Sequence, residues 1–153
     1  MQTRRSMLQA LFATGATLLV GQPLSGAAPR KQEIKVFKRH YSPCCDSWMT
    51  HLAKNGFAVR PAGVSDLEAV KADYAIPKSL VACHTAIIDG YIVEGHVPAE
   101  QIHRLLAERP WVRGIAVAGK PAGSPGHEKD GQKEPYTVVL FDGAGKITPF
   151  AQL

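Results

Sequence analysis

Glu33-Ile34-Lys35-Val36-Phe37-Lys38 alternates polar and apolar residues, the mark of a half-buried strand, and Ser42-Pro43-Cys44-Cys45 follows as a helix start. Ser42 stands at the N-cap position and Pro43 at the first helical position, with no further Gly or Pro before Gly56. A helix is therefore expected over about Pro43 to Asn55, stopped by Gly56. Phe57-Ala58-Val59-Arg60 supplies a second short strand and completes a βαβ unit.

The pattern continues in the same sense. Ser65 with Glu68 reads as a capping box, and Leu67, Val70 and Tyr74 keep helical spacing as far as Pro77. Thr85-Ala86-Ile87-Ile88 and Tyr91-Ile92-Val93-Glu94 are strand-like runs joined by Asp89-Gly90, a strong hairpin turn. Pro98 opens a helix whose buried stripe is Ile102, Leu105 and Leu106, ending near Pro110. The expected class is α/β, with a thioredoxin-like βαβ–α–ββ–α core. Beyond Arg113 the pattern loosens into a Gly/Pro-rich loop, Gly119 to His127, whose length suggests a lid-like role. Pro135–Phe141 and Lys146–Phe150 then form a C-terminal β-hairpin.

The first turn of the cysteine helix is chemically special. Its unpaired N–H groups and positive dipole end favour a thiolate at Cys44 and Cys45, the form that binds soft metals and exchanges disulfides. In a βα unit this turn lies at the C-terminal edge of the sheet, where α/β folds place ligands. The layout brings Leu80-Val81-Ala82-Cys83-His84, just before the third strand, alongside that edge, so that Cys83 faces Cys44 or Cys45.

Residues 1–28 are expected to be an export signal rather than part of the fold. Arg4 and Arg5 form a positive start of twin-arginine type, Leu8–Val20 is mostly apolar, and Ser25-Gly26-Ala27-Ala28 offers small-residue cleavage sites near residues 27–28. The apolar run is too short and polar to span a bilayer, so no transmembrane helix is expected in the mature chain. The expected location is the periplasm, and residues 29–153 form a single domain. Removing the signal takes away two arginines and lowers the formal net charge from +5 to about +3. The remaining basic residues are scattered among acids, with no basic block interleaved with aromatics, which excludes a nucleic-acid surface. Three cysteines in an oxidising compartment is an odd count, better explained by metal or redox work than by structural disulfides.

Histidines extend the candidate set. His84 adjoins Cys83, and His96 sits in Glu94-Gly95-His96-Val97-Pro98 at the turn into the last helix. His51 shares a helix face with Cys44 and Trp48, one turn apart. The candidate metal ligands are thus Cys44, Cys45, Cys83, His84, His51 and His96. His103 reads as surface, His40 as a neighbour of the cysteine turn, and Met49 as core filling. There is no Cys-x-x-Cys pair, no double Cys/His spacing typical of structural zinc, and no Gly-rich phosphate loop. Thiolates with imidazoles favour copper, as Cu(I), ahead of zinc.

The same residues carry a family resemblance. Ser42-Pro43-Cys44-Cys45 with Trp48 and His51-Leu52, the block Cys83-His84-Thr85-Ala86 with Gly90 through Pro98, and Gly123-Ser124-Pro125-Gly126 resemble the CopG-type family of exported copper-resistance proteins, long catalogued as a domain of unknown function. The resemblance implies a thioredoxin-like domain, copper binding by the cysteines and nearby groups, and redox handling of Cu(I)/Cu(II). It also implies copper ions and other periplasmic copper-handling proteins as partners. The family usually carries Cys-x-Cys-Cys, and here Ser42 occupies the first cysteine position, so fewer copper ions or weaker binding is expected. Lys120 and His127 stand where loop methionines are common in the family. Two functions follow as expectations: a periplasmic copper-binding protein for copper handling or resistance, or a thiol/copper oxidoreductase using a disulfide from Cys44 or Cys45 to Cys83.

Overall fold

The computed structural model describes residues 31–128 and 131–153, so the expected export signal lies outside the described residues. The elements run β1 (Glu33–Arg39), α1 (Pro43–Lys54), β2 (Ala58–Val64), α2 (Leu67–Asp73), a 3-10 turn (Lys78–Leu80), β3 (His84–Ile88), β4 (Tyr91–Glu94), α3 (Ala99–Glu108), β5 (Gly114–Ala116), β6 (Thr137–Phe141) and β7 (Ile147–Gln152). The βαβ–α–ββ–α order expected from the sequence is present and is followed by three further strands.

All the strands join one mixed sheet in the order β2-β1-β3-β4-β5-β6-β7. β1 and β2 are parallel, as a helical crossover through α1 requires. β3 returns antiparallel to β1 and pairs with β4 through a two-residue turn in which both Asp89 (φ 47°) and Gly90 (φ 84°) are left-handed. The edge strands each carry a proline, Pro61 in β2 and Pro149 in β7, which withholds a donor from any added strand.

Side chains alternate across the sheet and build two cores. Ile34, Val36, Ala86, Ile88, Val93 and Ile115 pack with Trp48 and Leu52 of α1 and Ile102 and Leu105 of α3. On the other face Ile92, Ala116 and Phe141 pack with Ile76 and Leu80 from the segment after α2. Full burial of side chains such as Leu52 and Ile102 contributes roughly 1.5–3 kcal/mol each before chain entropy is counted.

Several boundaries differ from the sequence reading for identifiable reasons. The N-cap of α2 is Asp66, not Ser65: its carboxylate accepts the Ala69 N–H at 2.9 Å. α2 stops at Asp73, and Ala75 takes a left-handed φ of 50° before the 3-10 turn. β2 extends through Pro61 to Val64 because an edge strand tolerates the missing donor. β5 has no counterpart in the sequence pattern: three residues bounded by glycine and loop carry too little periodicity to declare a strand. It is nonetheless buried, parallel to β4 and antiparallel to β6.

Candidate metal centre

The site forms where β1 and β4 end and β3 begins, beside the start of α1. Lys38, near the end of β1, pairs with His84 at the start of β3, which sets Cys83 next to the connection leading into α1. That connection is fastened by Lys38, whose buried Nζ reaches Asp46 Oδ1 at 3.0 Å and the carbonyls of Arg39 and His40. The buried stripe of α1 is Cys45, Trp48 and Leu52, so Cys44 and His51 lie on its flank. Trp48 donates from Nε1 to Val97 O at 2.8 Å and so ties α1 to the segment carrying His96.

The three cysteines are free thiols and lie together. Cys45 Sγ is 3.5 Å from Cys83 Sγ. His84 Nδ1 is 3.3 Å from Cys45 Sγ and 3.4 Å from Cys83 Sγ. His96 Nε2 is 2.8 Å from Cys83 Sγ, and its Nδ1 donates to Pro125 O at 2.7 Å. A carbonyl can only accept, so the proton of His96 resides on Nδ1 and the Nε2 lone pair points at the sulfur. Ser42 stands at the N-cap position but its hydroxyl caps no backbone group. It donates to Cys45 Sγ at 2.9 Å and lies 3.6 Å from Cys44 Sγ.

The loop expected to be lid-like does reach the site. Pro125, Gly126 and His127 lie over the start of α1, and the His127 ring meets the His96 ring edge-on at 4.3 Å between centroids. Gly126 has a φ of 85°, and a Cβ there would fall 2.5 Å from Cys44 O and 2.9 Å from Trp48 N, so only glycine permits this approach. Two overlapping groups result, each with its ligand atoms within 4.8 Å of one another: Cys44, Cys83, His96 and His127, and Cys45, Cys83, His84 and His96. Cys83 and His96 belong to both. A cleft of about 360 Å³ flanked by Arg39, Ser42 and Lys120 opens onto Cys83.

Five of the six sequence candidates are thus brought together: Cys44, Cys45, Cys83, His84 and His96. His51 stands outside both groups, and its Nε2 accepts the Ala99 N–H at 3.1 Å at the start of α3. His127 enters the site without having been a candidate. Its sequence signals are its place at the end of a Gly/Pro-dense loop and the resemblance, which puts loop methionines at this position. His103 is exposed and stacked on Phe57, and the exposed His40 lies over Gly63.

Electrostatics divide the thiols. Cys45 is held well below the ordinary thiol range, first by its interaction with Cys83, then by His84 and Ser42, against the opposing effect of burial. Cys83 is pushed up, first by Cys45 and then by burial. Burial foremost, with His84 nearby, lowers His96 from 6.5 to about 4. The unfolded chain therefore takes up a proton at His96 below about pH 6.5, and the folded metal-free protein does so only near pH 4. Stability must fall as pH drops through this window and then level off. At about 1.4 kcal/mol per pH unit, this costs about 2 kcal/mol between pH 6.5 and 5. Urea unfolding of metal-free protein at pH 7 and 5 should show this loss, and His96→Asn should remove it. An equal loss in the variant would assign it to other groups.

The donor set fits a soft metal. Sulfur and imidazole nitrogen atoms converge, and the His96 tautomer is already fixed with its free lone pair inward. The His84 Nε2, facing away from the sulfurs, is buried with no hydrogen-bond partner among the described residues.

Two solved structures of copper resistance protein CopG, forms 2 and 1, share the fold and 40% sequence identity with this chain. Form 2 superposes with a TM-score of 0.78, over 81% of this chain and 99% of that one. Form 1 gives 0.77, over 81% and 98%. The chain belongs to the CopG family. The family model described as a protein of unknown function, DUF411, matches residues 80–127, the stretch from the Cys83 segment through His127. No curated protein sequence matches the chain. In this CopG-family chain the matched stretch supplies Cys83, His84, His96 and His127, whereas Cys44 and Cys45 come from the preceding βα unit.

Proposed function

We propose that this is a periplasmic copper-binding protein for copper handling or resistance, holding Cu(I) through Cys44, Cys45, Cys83, His84 and His96, with His127 added from the C-terminal loop. The observation that carries the reading is the pair of four-residue groups sharing Cys83 and His96. Thiolates are the softest ligands a protein offers, which favours Cu(I) over zinc. The export signal at 1–28 and a thioredoxin-like domain over 29–153 belong to the same reading. Among the described residues no helix is long and apolar enough to cross a membrane. Other periplasmic copper-handling proteins are the proposed exchange partners, and the cleft over Cys83 is the route by which copper is passed.

A second reading, a thiol/copper oxidoreductase, is favoured by one observation: Cys45 and Cys83 are adjacent and of opposite thiol acidity. The balanced step joins the Cys45 thiolate sulfur to the Cys83 thiol sulfur, releases the one proton of Cys83, and passes one electron to each of two Cu(II) ions, giving two Cu(I).

Metal analysis of protein purified anaerobically from copper-supplemented cells, followed by competition with a Cu(I) chelator, tests the first reading. Copper should co-purify, and Cys44→Ser/Cys45→Ser should bind it far more weakly. Zinc in its place, or unchanged affinity in the double variant, would overturn the proposal. Peptide mapping after exposure of metal-free protein to Cu(II) tests the second reading. A Cys45–Cys83 cross-link supports it, and three alkylatable thiols count against it.

A further inference from the structure

On the face of the sheet opposite the thiols lies a buried polar cluster that neither reading uses. Glu94, at the end of β4, is fully buried, as is Thr85, and Lys71 of α2 is 3% exposed. Glu94 Oε1 accepts from Lys71 Nζ at 2.6 Å and from the Ala82 N–H at 2.7 Å. Glu94 Oε2 accepts from Thr85 Oγ1 at 2.6 Å, and Lys71 Nζ also reaches Thr85 Oγ1 at 3.0 Å.

The residues thus held immediately precede and follow the Cys83-His84 dipeptide. β3 begins only at His84, so Ala82 and Cys83 lie outside the strand. The Ala82 N–H goes to the Glu94 carboxylate instead of a backbone carbonyl. Alternation along β3 sends His84 toward Trp48 and Cys45, and Thr85 toward Lys71 and Glu94. Gly95 completes the attachment: its N–H donates to His84 O at 3.2 Å, and a Cβ there would meet Val117 O at 2.4 Å and Ala82 Cβ at 2.8 Å.

A buried ion pair is a weak source of net stability, and apolar residues of similar volume often serve a fold as well or better. What apolar residues cannot do is accept the Ala82 N–H. We propose that Glu94 is a positioning residue for the metal site, gripping the Cys83-His84 dipeptide at both ends from beneath the sheet, with Lys71 as its counter-ion. The proposal rests on the metal-binding reading for its consequence, but its geometry can be tested without metal.

The decisive variant is Lys71→Met/Glu94→Leu, which removes both charges and leaves the Ala82 N–H without its acceptor. Its thermal midpoint should stay close to the parent's. In metal-free protein, amide exchange at Ala82 and Cys83 and alkylation of Cys83 should both accelerate, while exchange in β6 and β7 stays unchanged. Cu(I) affinity should fall roughly 10–100-fold, the usual cost of losing a group that orients a ligand. Glu94→Gln keeps an oxygen for the Ala82 N–H and should retain most of the affinity. Should the double variant fail to fold, Thr85→Val decides the matter, because it removes one end of the grip and keeps the ion pair. It should accelerate Cys83 alkylation severalfold at little cost in stability.

Parent-like alkylation and exchange in the folded double variant would overturn the positioning role, as would a parent-like alkylation rate in Thr85→Val if that variant has to decide. A parent protein that binds no copper would overturn the metal reading alone, since the metal-free measurements still decide the positioning role.

Discussion

Cys83→Ser is expected to lower Cu(I) affinity more than loss of either other cysteine. Cys44 belongs to one of the two ligand groups and Cys45 to the other, so replacing either leaves one group whole. Cys83 belongs to both, and its sulfur is the one closest to His96, at 2.8 Å. The loss should exceed the roughly 10–100-fold that follows removal of a group merely orienting a ligand. Serine is nearly isosteric with cysteine and Cys83 is only half-buried, so the fold should survive. Anaerobic competition with a Cu(I) chelator, run on Cys44→Ser, Cys45→Ser and Cys83→Ser, gives the comparison. Equal losses in all three would rule out a shared ligand and point to a single site using every thiol alike.

The second large effect is a gain. The resemblance implies a first cysteine at the position Ser42 occupies, and the Ser42 hydroxyl already lies 2.9 Å from Cys45 Sγ and 3.6 Å from Cys44 Sγ. Ser42→Cys should therefore add a fourth thiolate to the cluster and raise the number of Cu(I) ions bound per chain, since sulfur ligands can bridge soft ions. Anaerobic titration followed by native mass measurement reads the stoichiometry directly. Ser42→Ala is the control: it removes the donor to Cys45 without adding sulfur, so the stoichiometry should hold. An unchanged copper count in Ser42→Cys would show that loop and sheet geometry, rather than the number of thiols, sets capacity.

Much of this centre was legible in the sequence because its parts are local. Ser42-Pro43 announces a helix start, Asp89-Gly90 a hairpin, and Cys83 precedes a strand that must return beside β1. Those signals suffice to bring Cys44, Cys45, Cys83, His84 and His96 together. What stayed hidden depends on tertiary approach. His127 reaches the site only because Gly126 lets the loop sit on the backbone of α1, a contact with no periodic trace. His51 shares the right helix face, yet α3 presents the Ala99 N–H to it, and spacing alone cannot foresee that competition. Lys71, in a helix, and Glu94, at a strand end, carry no local sequence mark of burial. Their burial shows only once the second face of the sheet is covered.

The return of the loop across α1 has a consequence for how the protein matures. The candidate ligands come from the β1–α1 junction, the approach to β3, the exit from β4 and the segment before β6. A chain emerging in N-to-C order holds Cys44-Cys45, then Cys83-His84 and His96, which complete one four-residue group, whereas the second group waits until His127 has been made and the loop has closed. Capture of metal by both groups together is therefore expected to be a late event that reports completed folding. Copper bound to the native state alone stabilises it by mass action, about 2.7 kcal/mol when free metal is a hundredfold above the dissociation constant. Unfolding midpoints should rise with copper, so that in a metal-poor setting the empty protein is the one most exposed to proteolysis.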